Sequence, residues 1–174
     1  ETLHSVTLAP FFLARHELTK VQWKRLSGGA DPSWYQAGRT YAGNPTAITD
    51  SHPVEQVDWT ICDDLLRQHG LSLPTEAQWE YGCRAGTTSP WWTGDQASTL
   101  AGAANLLDQH ADSQYPQWGR QEGDFDDGWC CHAAVASYRP NAFGLFDMHG
   151  NVWEWCSDSW YGSADYPSGT VIDP

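Results

Sequence analysis

GLFDMHGNVWEW, residues 144–155, is the stretch that decides how this chain folds. If it is extended after the second glycine, both tryptophans lie on one face and Glu154 on the other, because side chains alternate along a strand. Gly150 permits a turn that other residues resist, so a fold-back there could bring Asp147 close to Glu154. Two carboxylates and the free carbonyl groups of a turn are the hard oxygen ligands that calcium prefers. The alternative is a tight turn with two core tryptophans and two solvated acids.

A second acidic segment lies about twenty residues upstream. Asp124, Asp126, Asp127 and Gly128 match part of a calcium-binding loop, although the distal glutamate of an EF-hand is absent. Asn105 would add another oxygen ligand if the intervening loop folds back. An ordinary solvated acidic loop is the alternative for these residues.

Composition restricts the fold and the class of partner. A chain of 174 residues is predicted to be one domain. Sixteen glycines, ten prolines and eleven tryptophans predict a loop-rich protein whose large aromatic side chains hold irregular backbone together. The net charge of -13 argues against nucleic acid as a partner, because the phosphate backbone would be repelled. The sequence contains no apolar run long enough for a membrane span.

The five cysteines predict no disulfide framework, since their number is odd and their spacing is irregular. Zinc is disfavoured at Cys130, Cys131 and His132, because adjacent cysteines cannot easily ligate one tetrahedral ion and no second ligand pair completes the set.

Three helices are predicted from their start and stop signals. Thr19 begins the first with a capping box, and Asp58 caps a second that runs to Gly70. Thr75 begins a third with another capping box, and Gly86 ends it.

Several motifs together resemble the formylglycine-generating enzyme, or sulfatase-modifying factor, family. They are LPTEAQWEYGCRAGT (73–87), PWWTG (90–94) and PNAFGLFDMHGNVWEWCSD (140–158), preceded by HELTKVQW (16–23) and PVEQVDW (53–59). The order of the motifs and their extent identify residues 1–174 as a single domain of this type, expected to lack its C-terminal segment.

The resemblance implies an α+β fold, a variant of the C-type-lectin fold with little regular secondary structure, a small mixed sheet and two or three helices. It also implies two structural calcium ions. One site would use Asn105, the Leu106 carbonyl, Asp127 and the Trp129 carbonyl. The other would use Asp147, the carbonyls of Gly150 and Val152, and Glu154.

The catalytic members of the family bind copper(I) through two cysteines near their C-terminus, beyond the region that corresponds to this sequence. Because none of the five cysteines matches that pair, no catalytic residue is predicted here, and copper is expected only with a downstream cysteine pair. The parent activity that the resemblance implies is oxidation of a substrate cysteine to formylglycine. The alternative is a non-catalytic, calcium-stabilised lectin-like module that binds protein or glycan. A third possibility, an iron-dependent sulfoxide synthase, is disfavoured because the seven histidines show no HxxxHxE motif.

The expected partner is a protein or peptide, with glycan as the alternative. The sequence alone does not identify the compartment, although calcium sites would favour an extracytoplasmic one.

Overall fold

The computed structural model describes residues 5–118, 125–159 and 171–172. Four α-helices lie within these ranges: α1 (Lys20–Leu26), α2 (Trp59–Gln68), α3 (Glu76–Arg84) and α4 (Gln109–Gln114). Two short 3-10 helices follow α3 and α4, at Ala97–Leu100 and Pro116–Trp118. The strands of the described residues, β1 (Val6–Thr7) and β2 (Val171–Ile172), pair in parallel, with Val6 opposite Val171.

The first three helices begin where the capping signals predict. The Thr19 hydroxyl accepts a hydrogen bond from the Gln22 amide at 3.3 Å, and the Gln22 side chain accepts one from the Thr19 amide at 2.9 Å. The same reciprocal pair, a capping box, joins Thr75 and Gln78. Asp58 caps α2 by accepting from the Ile61 amide at 2.8 Å. These helix starts are therefore fixed by local sequence.

Buried amide side chains hold the loops together where regular strands are scarce. The Asn141 side-chain oxygen accepts from the Phe143 and Leu145 amides, while its nitrogen donates to the Gly82 carbonyl at 2.7 Å. The Asn44 side-chain oxygen likewise accepts from the amides of two consecutive residues, Cys130 and Cys131. Such bonds satisfy backbone groups that a sheet would otherwise pair.

A small apolar cluster lies where α3 meets the segment around residue 145. Cys83, Leu145 and Met148 form its buried centre, and Leu13 and Trp79 pack against it. The segment that carries the GLFDMHGNVWEW motif is thereby fixed on helix α3. Within the described residues, no helix is long and apolar enough to cross a membrane.

Candidate functional site

The residues of the first predicted set of ligands lie around the carboxylate of Asp127. One carboxylate oxygen accepts from the Leu106 amide at 2.8 Å, and the other accepts from the Trp129 amide at 2.8 Å. Asn105, next to Leu106, donates from its side chain to the Cys131 carbonyl at 2.9 Å. The loop thus folds back as expected, and the four predicted residues of this set lie together. Asp124, the first acid of the loop, lies outside the described residues.

Asp108, which the motif reasoning missed, organises the same loop. It is fully buried and caps helix α4 by accepting from the His110 and Ala111 amides. Its second oxygen accepts from the Asp127 amide at 2.5 Å. Burial raises the pKa of Asp127 to about 6, and the nearby Asp108 carboxylate adds to the rise. The sequence signal for Asp108 was its position as the N-cap of helix α4. That helix has only six residues and is too short to predict from periodicity.

The second predicted set is centred on Asp147, which is 4% exposed. Its Oδ2 accepts from the Ala136 amide at 2.6 Å, while its buried Oδ1 has no hydrogen-bond partner among the described residues. Asp147 adopts a left-handed backbone with φ of 57°, and Gly150 follows with φ of 85°. Asn151 is left-handed as well, and the chain bends at residues 149, 151 and 152.

The segment after this turn differs from the extended strand that the alternation predicts. Residues 152–155 form no strand in the structure. Trp153 is fully exposed and Trp155 is 48% exposed, so neither is a core residue. The Trp155 indole instead donates to the Val57 carbonyl at 3.0 Å. Hydrogen bonds from side chains to loop backbone replace the strand pairing in this region.

Glu154, the other predicted acid of this set, contacts helix α3. It accepts a short hydrogen bond from the Trp79 indole of α3 and keeps part of its surface open to solvent. The protein atoms around it, and then the charge of Asp147, raise its pKa above the ordinary value. Val152, which would contribute only a carbonyl, is half-buried.

Glu17, a buried acid near Asp147, was also missed by sequence reasoning. It is 7% exposed, and neither carboxylate oxygen has a hydrogen-bond partner among the described residues. Burial, followed by the charges of Asp147 and Glu154, raises its pKa to about 9. Its sequence context, two residues before a helix cap, gives no sign of this burial.

The two acidic regions adjoin each other through the backbone. Asn105 and Gly150 form a parallel bridge, and the Asn151 amide donates to the Asn105 carbonyl at 2.9 Å. A Cβ atom placed on Gly150 would lie 1.9 Å from the Asn105 carbonyl oxygen. Glycine is therefore required at this position both by its φ and by the close approach of the two chains.

The described residues contain no group of three His, Cys, Asp or Glu side chains in ligating geometry. Any cation held here would rely on pairs of carboxylates supplemented by backbone carbonyl oxygens. Such a mixed donor set is chemically suited to calcium, which takes six to eight oxygen ligands.

All five cysteines are free thiols. Burial is the first cause of a raised pKa at each, to about 12 at Cys83 and to about 11 at Cys62, Cys130 and Cys156. The Cys83 thiol donates to the Met148 carbonyl at 3.3 Å, so it is satisfied within the core. These are properties of structural cysteines rather than of reactive thiolates.

A second buried polar cluster lies under helix α1. Lys20 is fully buried, with its ammonium 3.6 Å from the Glu55 carboxylate. His52 and His132 pack beside it with ring centroids 5.7 Å apart, and Tyr35 contacts the His132 ring edge-on at 5.0 Å. Burial lowers the pKa of His132 to about 3, and the positive charge of Lys20 and then that of His52 add to the decrease. This imidazole is therefore neutral at ordinary pH.

Comparison with known proteins agrees with this architecture. The chain is 32% identical over 176 residues to the formylglycine-generating enzyme of Streptomyces coelicolor, covering 100% of this chain and 48% of that protein. It is 37% identical over 121 residues to the enzyme of the same name from Mycobacterium tuberculosis, covering 68% of this chain and 38% of that protein. The serine/threonine-protein kinase pkn1 of Chlamydia pneumoniae is 30% identical over 174 residues, with 92% and 24% covered. The chain thus spans about half the length, or less, of the curated relatives it matches.

Solved structures share the fold at lower sequence identity. PvdO from Pseudomonas aeruginosa has a TM-score of 0.53 and 23% identity, with 84% of this chain and 56% of that chain covered. Treponema denticola variable protein 1 has a TM-score of 0.56 and 22% identity, with 90% and 64% covered. A model of the sulfatase-modifying factor enzyme 1-like domain matches residues 1–172. The chain therefore belongs to the sulfatase-modifying factor enzyme 1-like family.

Proposed function

We propose that this chain is the calcium-stabilised part of a formylglycine-generating domain, whose whole-protein activity is oxidation of a substrate cysteine to formylglycine. The observation that carries the proposal is the family match over residues 1–172, together with 32% identity to an enzyme of that name along the whole chain. Fold alone does not define an activity, so the activity is proposed for the protein to which these residues belong.

The proposed calcium sites are supported by the chemistry of the donors. At the second site, Asp147 buries an oxygen that has no hydrogen-bond partner among the described residues. An unpaired buried carboxylate is costly, and a bound cation removes that cost. The ligands proposed there are Asp147, the carbonyls of Gly150 and Val152, and Glu154. At the first site they are Asn105, the Leu106 carbonyl, Asp127 and the Trp129 carbonyl. Calcium would supply a structural cross-link between the loops.

Copper(I) does not fit the cysteines of this chain. Copper(I) is held by soft thiolates, whereas these thiols are at least half-buried and their pKa values are raised, which disfavours the thiolate form. No redox step is therefore assigned to these residues. The contribution of residues 1–174 to the proposed activity is a rigid scaffold for the loops that would border the substrate.

The substrate class proposed is a peptide that carries a cysteine. The chain has a net charge of -13, and a field of that sign favours association with a basic peptide.

The proposal is tested with the purified full-length protein, loaded with copper(I) and calcium and supplied with dioxygen as the oxidant and a thiol as the reductant. A basic peptide that contains one cysteine should be converted to the formylglycine form, which mass spectrometry detects as a shift confined to that residue. The matched control is the same peptide with serine in place of cysteine, which should stay unmodified. If the full-length, metal-loaded protein leaves the cysteine peptide unchanged while the Streptomyces enzyme converts it, the proposed activity is wrong.

A non-catalytic binding role is the second candidate, and an exposed cleft supports it. Trp34 is 72% exposed and lines a cleft of about 560 Å³ with Tyr41 and Arg39. An aromatic face beside a guanidinium suits stacking on a peptide or a sugar ring. Trp34→Ala should then weaken retention of a peptide or sugar ligand.

A further inference from the structure

The cleft that Trp34 lines carries a positive charge in a strongly acidic chain. Its lining includes one cationic side chain, Arg39, and no carboxylate, although the chain has 22 acidic residues. The Arg39 side chain is exposed and takes part in none of the ion pairs found among the described residues. At physiological ionic strength, exposed charges more than about 8 Å apart are largely screened. The local field in the cleft is therefore set by this guanidinium rather than by the net charge of -13.

The two acids that adjoin the cleft in sequence are each neutralised by a lysine. The Asp31 carboxylate lies 3.4 Å from the Lys24 ammonium, and the Glu55 carboxylate lies 3.6 Å from the Lys20 ammonium. Neither acid contributes to the lining of the cleft. The Arg39 guanidinium is thus available to pair with an anionic group of a ligand.

The wall of the cleft is held in shape by hydrogen bonds within its own loop. The Tyr41 hydroxyl accepts from the Gln36 amide at 2.9 Å and donates to the Trp34 carbonyl at 3.2 Å. The Ile48 amide donates to the Arg39 carbonyl at 2.8 Å. These bonds occupy backbone groups with which an extended peptide would otherwise pair. Recognition in this cleft is therefore left to the side chains.

The side chains of the cleft match a polar ring that carries a carboxylate. Trp34 is 72% exposed and offers a flat apolar surface against which one face of a sugar ring packs. A guanidinium such as that of Arg39 binds a carboxylate through two parallel hydrogen bonds. Gln36 and Gln56 also line the cleft, and their amide groups can hydrogen-bond with hydroxyls. Its volume, about 560 Å³, lies in the range of small-ligand sites.

We infer that this cleft binds an acidic sugar, a hexuronic acid residue whose ring lies on Trp34 and whose carboxylate pairs with Arg39. The inference rests on the proposed non-catalytic binding role and adds to it the class of ligand. A neutral sugar would leave the guanidinium without a counter-ion. An acidic peptide would meet a loop whose backbone is already paired.

The test compares methyl glucuronide with methyl glucoside, two sugars that differ only in the carboxylate or hydroxymethyl group on the ring. A short capped peptide with one glutamate represents the acidic peptide. Dissociation constants for the purified full-length protein are measured by ligand-observed NMR titration at physiological ionic strength. Arg39→Gln removes the charge and keeps a polar side chain, and Trp34→Ala removes the stacking surface. Arg25→Gln is the matched control, because Arg25 is an exposed arginine of α1 that does not line the cleft.

We expect the parent protein to bind methyl glucuronide roughly tenfold more tightly than methyl glucoside, because charge-assisted bidentate hydrogen bonds are the strong ones. Arg39→Gln should bring the two dissociation constants to within about twofold of each other, whereas Arg25→Gln should keep the preference. Trp34→Ala should weaken the binding of both sugars. Equal melting temperatures of the variants and the parent check that these exposed substitutions leave the fold intact.

Three results would overturn the inference and leave the binding role in place. They are equal affinity of the parent for the two sugars, an undiminished preference in Arg39→Gln, and tighter binding of the glutamate peptide than of methyl glucuronide. If the parent binds none of the three probes, both the inference and the proposed binding role are wrong. Conversion of the cysteine peptide is measured separately, so neither failure affects the proposed oxidation.

Discussion

Gly150→Ala tests whether the contact between the two acidic regions is as close as the structure has it. The new methyl group would lie 1.9 Å from the Asn105 carbonyl oxygen and 2.7 Å from a methyl group of Leu106. Ordinary contacts of this kind begin at 3.4 Å, so the two chains would have to separate by roughly 1.5 Å, far beyond what a packed interior absorbs. The hydrogen bond from the Asn151 amide to the Asn105 carbonyl, now 2.9 Å, would be lost.

The magnitude follows from two independent costs. Alanine at the φ of 85° found at Gly150 costs about 1–2 kcal/mol, because the left-handed region crowds a Cβ atom. Loss of the buried hydrogen bond, with its partners left unsatisfied, adds about 1–3 kcal/mol. We therefore expect Gly150→Ala to lower the free energy of unfolding by about 2–5 kcal/mol.

Gly86→Ala is the matched control for this substitution. Gly86 has almost the same φ, 88°, but a Cβ atom there would meet nothing within 4 Å. It should cost only the backbone component, about 1–2 kcal/mol. Urea unfolding followed by tryptophan fluorescence gives both values from the shift in midpoint at constant slope. If Gly150→Ala costs no more than Gly86→Ala, the close approach of residues 105 and 150 is refuted.

Two further predictions concern acid and metal. Because His132 has a pKa lowered to about 3, its contribution to stability is complete above about pH 6.5, where the unfolded chain is also neutral, and it decreases as the pH falls towards 3. Between pH 6.5 and 5 this residue alone should cost about 2 kcal/mol of unfolding free energy. His132→Asn should flatten that slope and the surface substitution His69→Asn should not, so equal slopes in both variants would contradict the burial of His132. Removal of calcium with excess chelator should lower the melting temperature. If the free calcium concentration had been 100 times the dissociation constant of a site, the loss of that site should account for about 5–10 °C. An unchanged melting curve would exclude calcium as a structural ion.

Local signals were sufficient for the helices. The boxes Thr19–Gln22 and Thr75–Gln78 each lie within four consecutive residues, so the physics that starts those helices is visible in the sequence. The family motifs supplied the rest of the fold. Helix α4 was missed because its six residues are too few to show a helical period.

The candidate site was predictable only in part. Asp147 and Gly150 were found because a turn and its acids lie within a few residues of each other. Glu17 resembles any exposed acid in the sequence, and its segment is held by a hydrogen bond from the distant Phe146 amide to the Arg15 carbonyl. The expected strand at 152–155 failed for the same reason, since its alternation gives no information about whether a pairing partner exists. Contacts between distant segments therefore decided what the motifs left open.

The parallel pairing of β1 with β2 has a consequence for the order of folding. Val6 and Val171 are joined only after a loop of more than 160 residues has closed. The capped helices need contacts across only a few residues and can form in microseconds, whereas a contact of such long range must await the ordering of the segments between its ends. The pairing of the two strands is therefore a late event of folding, and while it is absent their edges are open to association with another chain.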